Sequence, residues 1–293
     1  MNKKLSLQEW LNQAEQEGLT FTEFCLQQQC ANLETTQQEL MAYMLSSLDV
    51  MEQSIETGLS GIKSRGGLVG GDARRLAEYR ANQDNPSLVG STVARAITIA
   101  LAVGEANAAM GKIVAAPTAG SSGVLPAVLF SLSEAVTIDR SELAKALVVA
   151  GAIGMVIASR ASLSGAAGGC QAECGSAGAM AAGAAVVLSG GSPQQIGNAV
   201  AITLKNMLGL VCDPVAGLVE VPCVKRNAGA AAQALIAAEM ALAGIESVIP
   251  VDEVIDAMAA VGSSMSCSLR ETSQGGLAVT PTALAWAEKI LKN

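Results

Sequence analysis

The chain contains no histidine and very little aromatic surface, with two Trp, two Tyr and three Phe among 293 residues. Without imidazole it lacks the usual general base near neutral pH and the commonest metal ligand. Any acid–base or metal chemistry must then run through carboxylates, hydroxyls, amines or thiols. With so few rings to anchor a core, its 30 glycines and abundant alanines imply helices or loops whose backbones approach closely. Positive charge is also scarce: 18 Lys and Arg against 26 Asp and Glu leave a formal net charge of −8. A nucleic-acid binder needs a basic face to displace counterions from phosphates, so that class is excluded.

Long apolar runs are missing too, although the mean hydropathy is +0.40. The best run, residues 146–158, is shorter than the roughly 18 residues a membrane span requires, so it is read as a buried core helix and no membrane partner is expected. The opening MNKKLSLQEWLNQAEQEG passes from two lysines into a polar amphipathic stretch instead of the apolar region of a secretory signal. The expectation is a cytoplasmic chain. Seven cysteines, an odd number, then read as thiols or metal ligands rather than as a disulfide framework.

The hydrophobic periodicity is mainly α, a multi-helix domain with glycine-rich loops and close packing through small residues. Ser6 with Glu9, Thr20 with Glu23 and Thr36 with Glu39 have capping-box spacing, and a helix is expected after each. In the third, Leu40, Met44, Leu48, Met51 and Ile55 form one stripe, with Gly58 and Gly61 placed beyond its end. Residues 1–60 are thus expected to form a helical arm packed on the domain made by 61–293. Further helices are expected at about 91–110, 141–159, 176–188, 192–208, 224–242, 251–261 and 281–291. Ser192-Pro193 combines a cap with proline at the first helical position. The segments SRGGLVGGDARR (64–75), NQDNPS (82–87) and IVAAPTAGSSGVLPAVL interrupt this pattern.

Cys170, Cys212 and Cys223 each stand in a glycine- or proline-punctuated loop, as GGCQAECG, VCDP and VPCVKRN. Cys170 precedes a helical pattern, where a thiolate is stabilised by nearby backbone N–H groups. Soft thiolates suit zinc, copper(I) or iron–sulfur clusters. Yet the spacing between Cys212 and Cys223 is neither that of a zinc ribbon nor that of a ferredoxin. Free cysteine is also among the most buried residue types. The residues alone therefore favour small buried thiols over a metal site. Cys25, Cys30 and Cys267 keep that reading, and Cys174 is set aside because it would compete with Cys212 and Cys223 for one metal.

Within APTAGSSGVLP, the hydroxyls of Thr118, Ser121 and Ser122 and several free N–H groups surround a concavity suited to a carboxylate or phosphate, or else make an ordinary capped turn. Arg226 and Asn227, with Lys225, form either a clamp for an anionic substrate or a solvated helix start. SRGGLVGGD lacks GxxxxGK[ST] and a flanking strand, so it is not read as a nucleotide site. No lysine context suggests pyridoxal phosphate.

Taken together, IVAAPTAGSSGVLPAVL, GAAGGCQAECGSAGAMAAG, KNMLGLVCDPVAGLVEVPCVKRNA and ETSQGGLA resemble the α chain of the bacterial iron–sulfur-dependent L-serine dehydratases, from about residue 60 onward. The resemblance reverses the weighting on the cysteines. It implies a [4Fe-4S] cluster on Cys170, Cys212 and Cys223, making 61–293 the cluster-binding catalytic domain, and deamination of L-serine to pyruvate and ammonia. Three thiolates leave one of four irons open as a Lewis acid. It also implies a separate β chain completing a heterodimer. No catalytic base has a distinctive context. Relatives often carry a terminal cysteine after GGLA; this chain has none there, and Cys267 is the nearest. Two alternatives stay open: a related lyase on threonine or cysteine, since one methylene is worth only about 1–3 kcal/mol, and a non-enzymatic helical scaffold or membrane protein.

Overall fold

The computed structural model describes residues 4–82 and 84–292; the first three residues of the expected arm and Gln83 of the expected 82–87 turn lie outside it. Among the described residues there are 13 α-helices and no strand, only two isolated bridges.

The first three helices start where the caps stand. Helices α1 (Leu7–Gln16), α2 (Phe21–Asn32) and α3 (Gln37–Leu59) follow Ser6, Thr20 and Thr36. At Thr20 and Thr36 both halves of the capping box are closed. The Ser6 hydroxyl accepts from the Glu9 N–H at 3.0 Å and donates to Asp252 at 2.5 Å, so the cap also ties the chain start to a distant helix. Leu40, Leu48, Met51 and Ile55 are buried and Met44 is half-buried, as their spacing requires.

Gly58 is a correction. It belongs to α3 instead of lying past its end, and an added Cβ would sit 2.0 Å from the Ala102 carbonyl oxygen. The glycine is there because α3 crosses the next long helix with backbones nearly touching.

Three helices are absent from the sequence reading, two of them longer than a single turn. The first, α4 (Asp72–Ala81), is polar and has no side-chain cap of its own. Its first N–H groups are held from outside: Glu105, on α5 (Gly90–Ala108), accepts from Gly71, Asp72 and Ala73 at 3.1, 2.7 and 3.4 Å. The second, α6 (Val124–Ala135), carries Pro126 in its first turn, where the missing N–H has no intrahelical partner to lose. A proline that read as an interruption is a helix start.

The expected helix over 141–159 is α7 (Arg140–Arg160). It exceeds the apolar run that suggested it and is long and apolar enough to cross a membrane, but 67% of its most apolar window is buried within the fold. A short turn, α8 (Gly165–Gly168), and a π-turn over Gln171–Gly175 lead into α9 (Ser176–Leu188). Every residue of α9 from Ser176 to Val186 is buried, and it packs on α6, α7, α10 (Pro193–Met207) and α11 (Cys223–Leu242). A helix buried on all sides must be thin, which its Ala- and Gly-rich sequence supplies. Helices α12 (Val251–Ser264) and α13 (Pro281–Leu291) complete the chain. The N-terminal helices join the same core, α2 and α3 on α7, α3 on α5, and α1 on α10 and α12.

Candidate functional site

Four loop regions meet at the ends of these helices and enclose a cavity of about 270 Å³. Its walls are Thr118–Gly120, Cys170 with Glu173, the stretch from Cys212 through Pro214, Gly217 and Val219 to Cys223, and Glu271. The three cysteines singled out from sequence therefore face one space, although they come from separate segments. They are buried, at 2%, 2% and 7% exposure.

Local backbone bonds explain the convergence. Cys170 stands at the joint between α8 and the π-turn, and the next residue, Gln171, donates its N–H to the Leu210 carbonyl at 3.0 Å, drawing that joint to the approach of Cys212. Cys212 is sandwiched by the tail: its N–H donates to the Leu269 carbonyl at 2.8 Å and its carbonyl accepts from the Glu271 N–H at 2.7 Å. Cys223 is the first residue of α11. Gly165 has no room for a side chain, since a Cβ would lie 2.6 Å from Glu173 Oε2 and 3.1 Å from the Cys212 sulfur.

The sulfurs are electrostatically linked. The Cys170 thiol is held well below its ordinary range by hydrogen bonds from Cys174 and Cys212, with the Arg226 charge adding to them. Cys174 and Cys212 are pushed up correspondingly, because each shares its proton with Cys170. Cys223 is pushed up to about 12, chiefly by burial. Cys174, set aside from sequence, touches Cys170 but does not line the cavity.

Sequence reasoning missed two carboxylates. Glu173 lies in the cavity wall, its Oε1 accepting from the Thr118 hydroxyl at 2.8 Å. Burial pushes its carboxyl up to about 7. Cys170, Glu173 and Cys212 have ligand atoms within 4.8 Å of one another and could hold a metal ion. The available signal was a lone acid between two cysteines in a run otherwise made of small residues. Glu271, in the ETSQGG tail motif, lines the cavity from a left-handed backbone position (φ +62°). Cys267 is exposed and does not line it.

Of the five residues expected to contact substrate, Thr118 lines the cavity. The other four stand behind its wall. Ser121 bonds Thr118 within its own turn, with the two hydroxyls 3.1 Å apart, and Ser122 is buried. Asn227 is a brace: its Oδ1 accepts from the Gly123 N–H at 2.9 Å, while its Nδ2 donates to Gly120 and Cys223 carbonyls at 2.7 and 2.9 Å. It pins the Thr118 turn to the start of α11. Arg226 is engaged with Val211 and Asp213. The glycine-rich 64–75 segment offers its N–H groups inward, Gly66 and Leu68 to the buried Glu220 carboxylate at 2.7 and 3.0 Å. A phosphate would find the donors taken.

The donor chemistry suits a soft-metal cluster: three buried thiols on one cavity, with the half-buried Arg226 nearby and no imidazole. Comparison with known proteins points the same way. The family model described as "Serine dehydratase alpha chain" matches residues 16–278. The chain is 50% identical over 285 residues to the "Probable L-serine dehydratase, alpha chain" of Bacillus subtilis, covering 97% of this chain and 94% of that one. It is 45% identical over 276 residues to the "L-serine dehydratase, alpha chain" of Peptoniphilus asaccharolyticus, covering 94% of each. The "L-serine dehydratase" of Streptomyces coelicolor is 40% identical over 92% of this chain but only 60% of its own length. On its sequence, matched along nearly all of its length, the chain belongs to the serine dehydratase alpha chain family.

Proposed function

We propose that this chain is the cluster-bearing subunit of an L-serine ammonia-lyase, converting L-serine to pyruvate and ammonia. The observation that carries the reading is the meeting of Cys170, Cys212 and Cys223 on one cavity in a chain of this family. These three thiolates would hold a [4Fe-4S] cluster. When bound, it supplies an open iron site that acts as a Lewis acid for the β-hydroxyl of serine.

The chain's own residues supply the rest. Apart from the thiols, Glu173 and Glu271 are the ionisable groups in the cavity wall. Glu173, fixed by the Thr118 hydroxyl, takes the Cα proton on a carboxylate oxygen and returns it to the departing hydroxide as water. Glu271, at the rim, faces the substrate ammonium. The resulting enamine tautomerises to an imine, which water hydrolyses to pyruvate and ammonia.

A separate β chain completes the enzyme as a heterodimer. Two relatives named as alpha chains match 97% and 94% of this chain, whereas the Streptomyces protein is matched over only 60% of its longer chain. The test is anaerobic purification with iron and sulfide assay, followed by pyruvate formation from L-serine with and without the partner chain. Brown protein with about four irons, active on L-serine, is the expected result. A colourless chain with an intact helical fold that takes up no iron would overturn it.

A further inference from the structure

We infer that Arg226 is the positioning residue that sets the three cysteine-bearing segments in register, in place of clamping the substrate; this rests on the cluster reading above. The residue sits on the first turn of α11, three positions after Cys223. Its Nη1 donates to the Val211 carbonyl at 2.8 Å, and its Nη2 pairs with Asp213 Oδ1 at 2.8 Å. Those two partners flank Cys212 on either side. The Cys170 segment reaches the same stretch through its own backbone, Gln171 donating its N–H to the Leu210 carbonyl at 3.0 Å, and the guanidinium charge helps hold the Cys170 thiol low. One side chain thus ties the Cys212 segment, to which the Cys170 joint is bonded, to the Cys223 helix.

The pair extends to the tail. Asp213 Oδ2 accepts from the Leu277 N–H at 2.7 Å, so the segment that brings Glu271 to the rim is fastened to the same ion pair. The Arg226 and Asp213 side chains are 16% and 3% exposed. Arg226 does not line the cavity, and its fork is already engaged by protein acceptors.

The chemistry explains why arginine is used. Three thiolates crowded into a buried space repel one another and lose hydration, and a fixed cation behind them offsets both effects. A planar fork can meet a carbonyl and a carboxylate at once in fixed directions; the compact ammonium of lysine keeps the charge but not the geometry.

The experiment compares Arg226→Gln, Arg226→Lys and the neighbouring Lys225→Gln with the unmodified full chain. The first readout, after anaerobic reconstitution, is iron bound per chain and its rate of loss to a chelator. Arg226→Gln is expected to retain iron about 10- to 100-fold less tightly. Arg226→Lys should recover part of the loss, and Lys225→Gln, whose partner Asp72 lies away from the cavity, none of the defect. The second readout is amide hydrogen exchange of the metal-free chains. Arg226→Gln should speed exchange at 209–215 and 276–279 while α9 stays protected. Unchanged exchange there, or iron retention equal to the unmodified chain, would overturn the role of Arg226. Failure of the unmodified chain to take up iron would count against the cluster reading instead, and the exchange readout would still decide the positioning role.

Discussion

Glu173 Oε2 stands 3.9 Å from the sulfur of Cys212, although the two residues are 39 positions apart. The contact places a carboxylate inside a thiol-lined cavity, next to a proposed cluster ligand and fastened on its other oxygen to Thr118. The proposed base and a cluster on the proposed ligands would thereby share one wall. Such an arrangement suits the removal of a proton and a hydroxyl from adjacent carbons.

Glu173→Gln keeps the size and the hydrogen bond from Thr118 while removing the proton acceptor. Pyruvate formation should fall by about 100-fold or more, with iron content unchanged. Activity within a few-fold of the unmodified enzyme would remove Glu173 from the reaction.

Replacing Cys170, Cys212 or Cys223 singly by serine should lower bound iron and sulfide sharply in each case. Cys25→Ser, deep in the N-terminal packing, and Cys267→Ser, at the surface, should leave both unchanged. Iron analysis of the five anaerobically reconstituted variants checks the ligand set, and equal loss at Cys267 would redraw it.

Gly58→Ala should force α3 away from α5, because a methyl group cannot share space with the Ala102 carbonyl. Overpacking of this kind costs about 1–3 kcal/mol, read as a lower midpoint in denaturant or thermal unfolding. A midpoint unchanged from the parent would show that the two helices separate without strain.

Glu105→Ala should strip the first turn of α4 of the side-chain acceptor that holds it and leave its buried and part-buried N–H groups without that partner. The expected cost is about 1–3 kcal/mol, with faster amide exchange at 71–75 ahead of the rest of the chain. Retained protection there would show that the turn is held by other contacts.

Much of the helical layout was legible because its signals are local. Thr20, Thr36 and Ser192 cap helices within three residues of themselves, and the Ala- and Gly-rich α9 announces deep burial by composition. Helix α4 was illegible for the opposite reason, since its cap, Glu105, lies on another helix. Pro126 and Gly58 were misread because proline in a first turn and glycine at a crossing look, in one dimension, like breaks. At the site, the motifs exposed the cysteines but not which neighbours face inward. Asn227 and Arg226, expected to contact substrate, do not line the cavity and bond to the neighbouring loops, while Glu173 went unnoticed.

The amino-acid order by itself determined where most of the helices begin, which faces are apolar, and that thiols or carboxylates rather than imidazoles must carry any metal chemistry, because caps, periodicity and donor type act over a few residues. Only the tertiary structure decided that Cys170, Cys212 and Cys223 share one cavity, that Glu173 enters it, and that Arg226 stands behind it. Those relations depend on how α9 and α11 pack and on backbone bonds between loops distant in sequence. No local interaction encodes them.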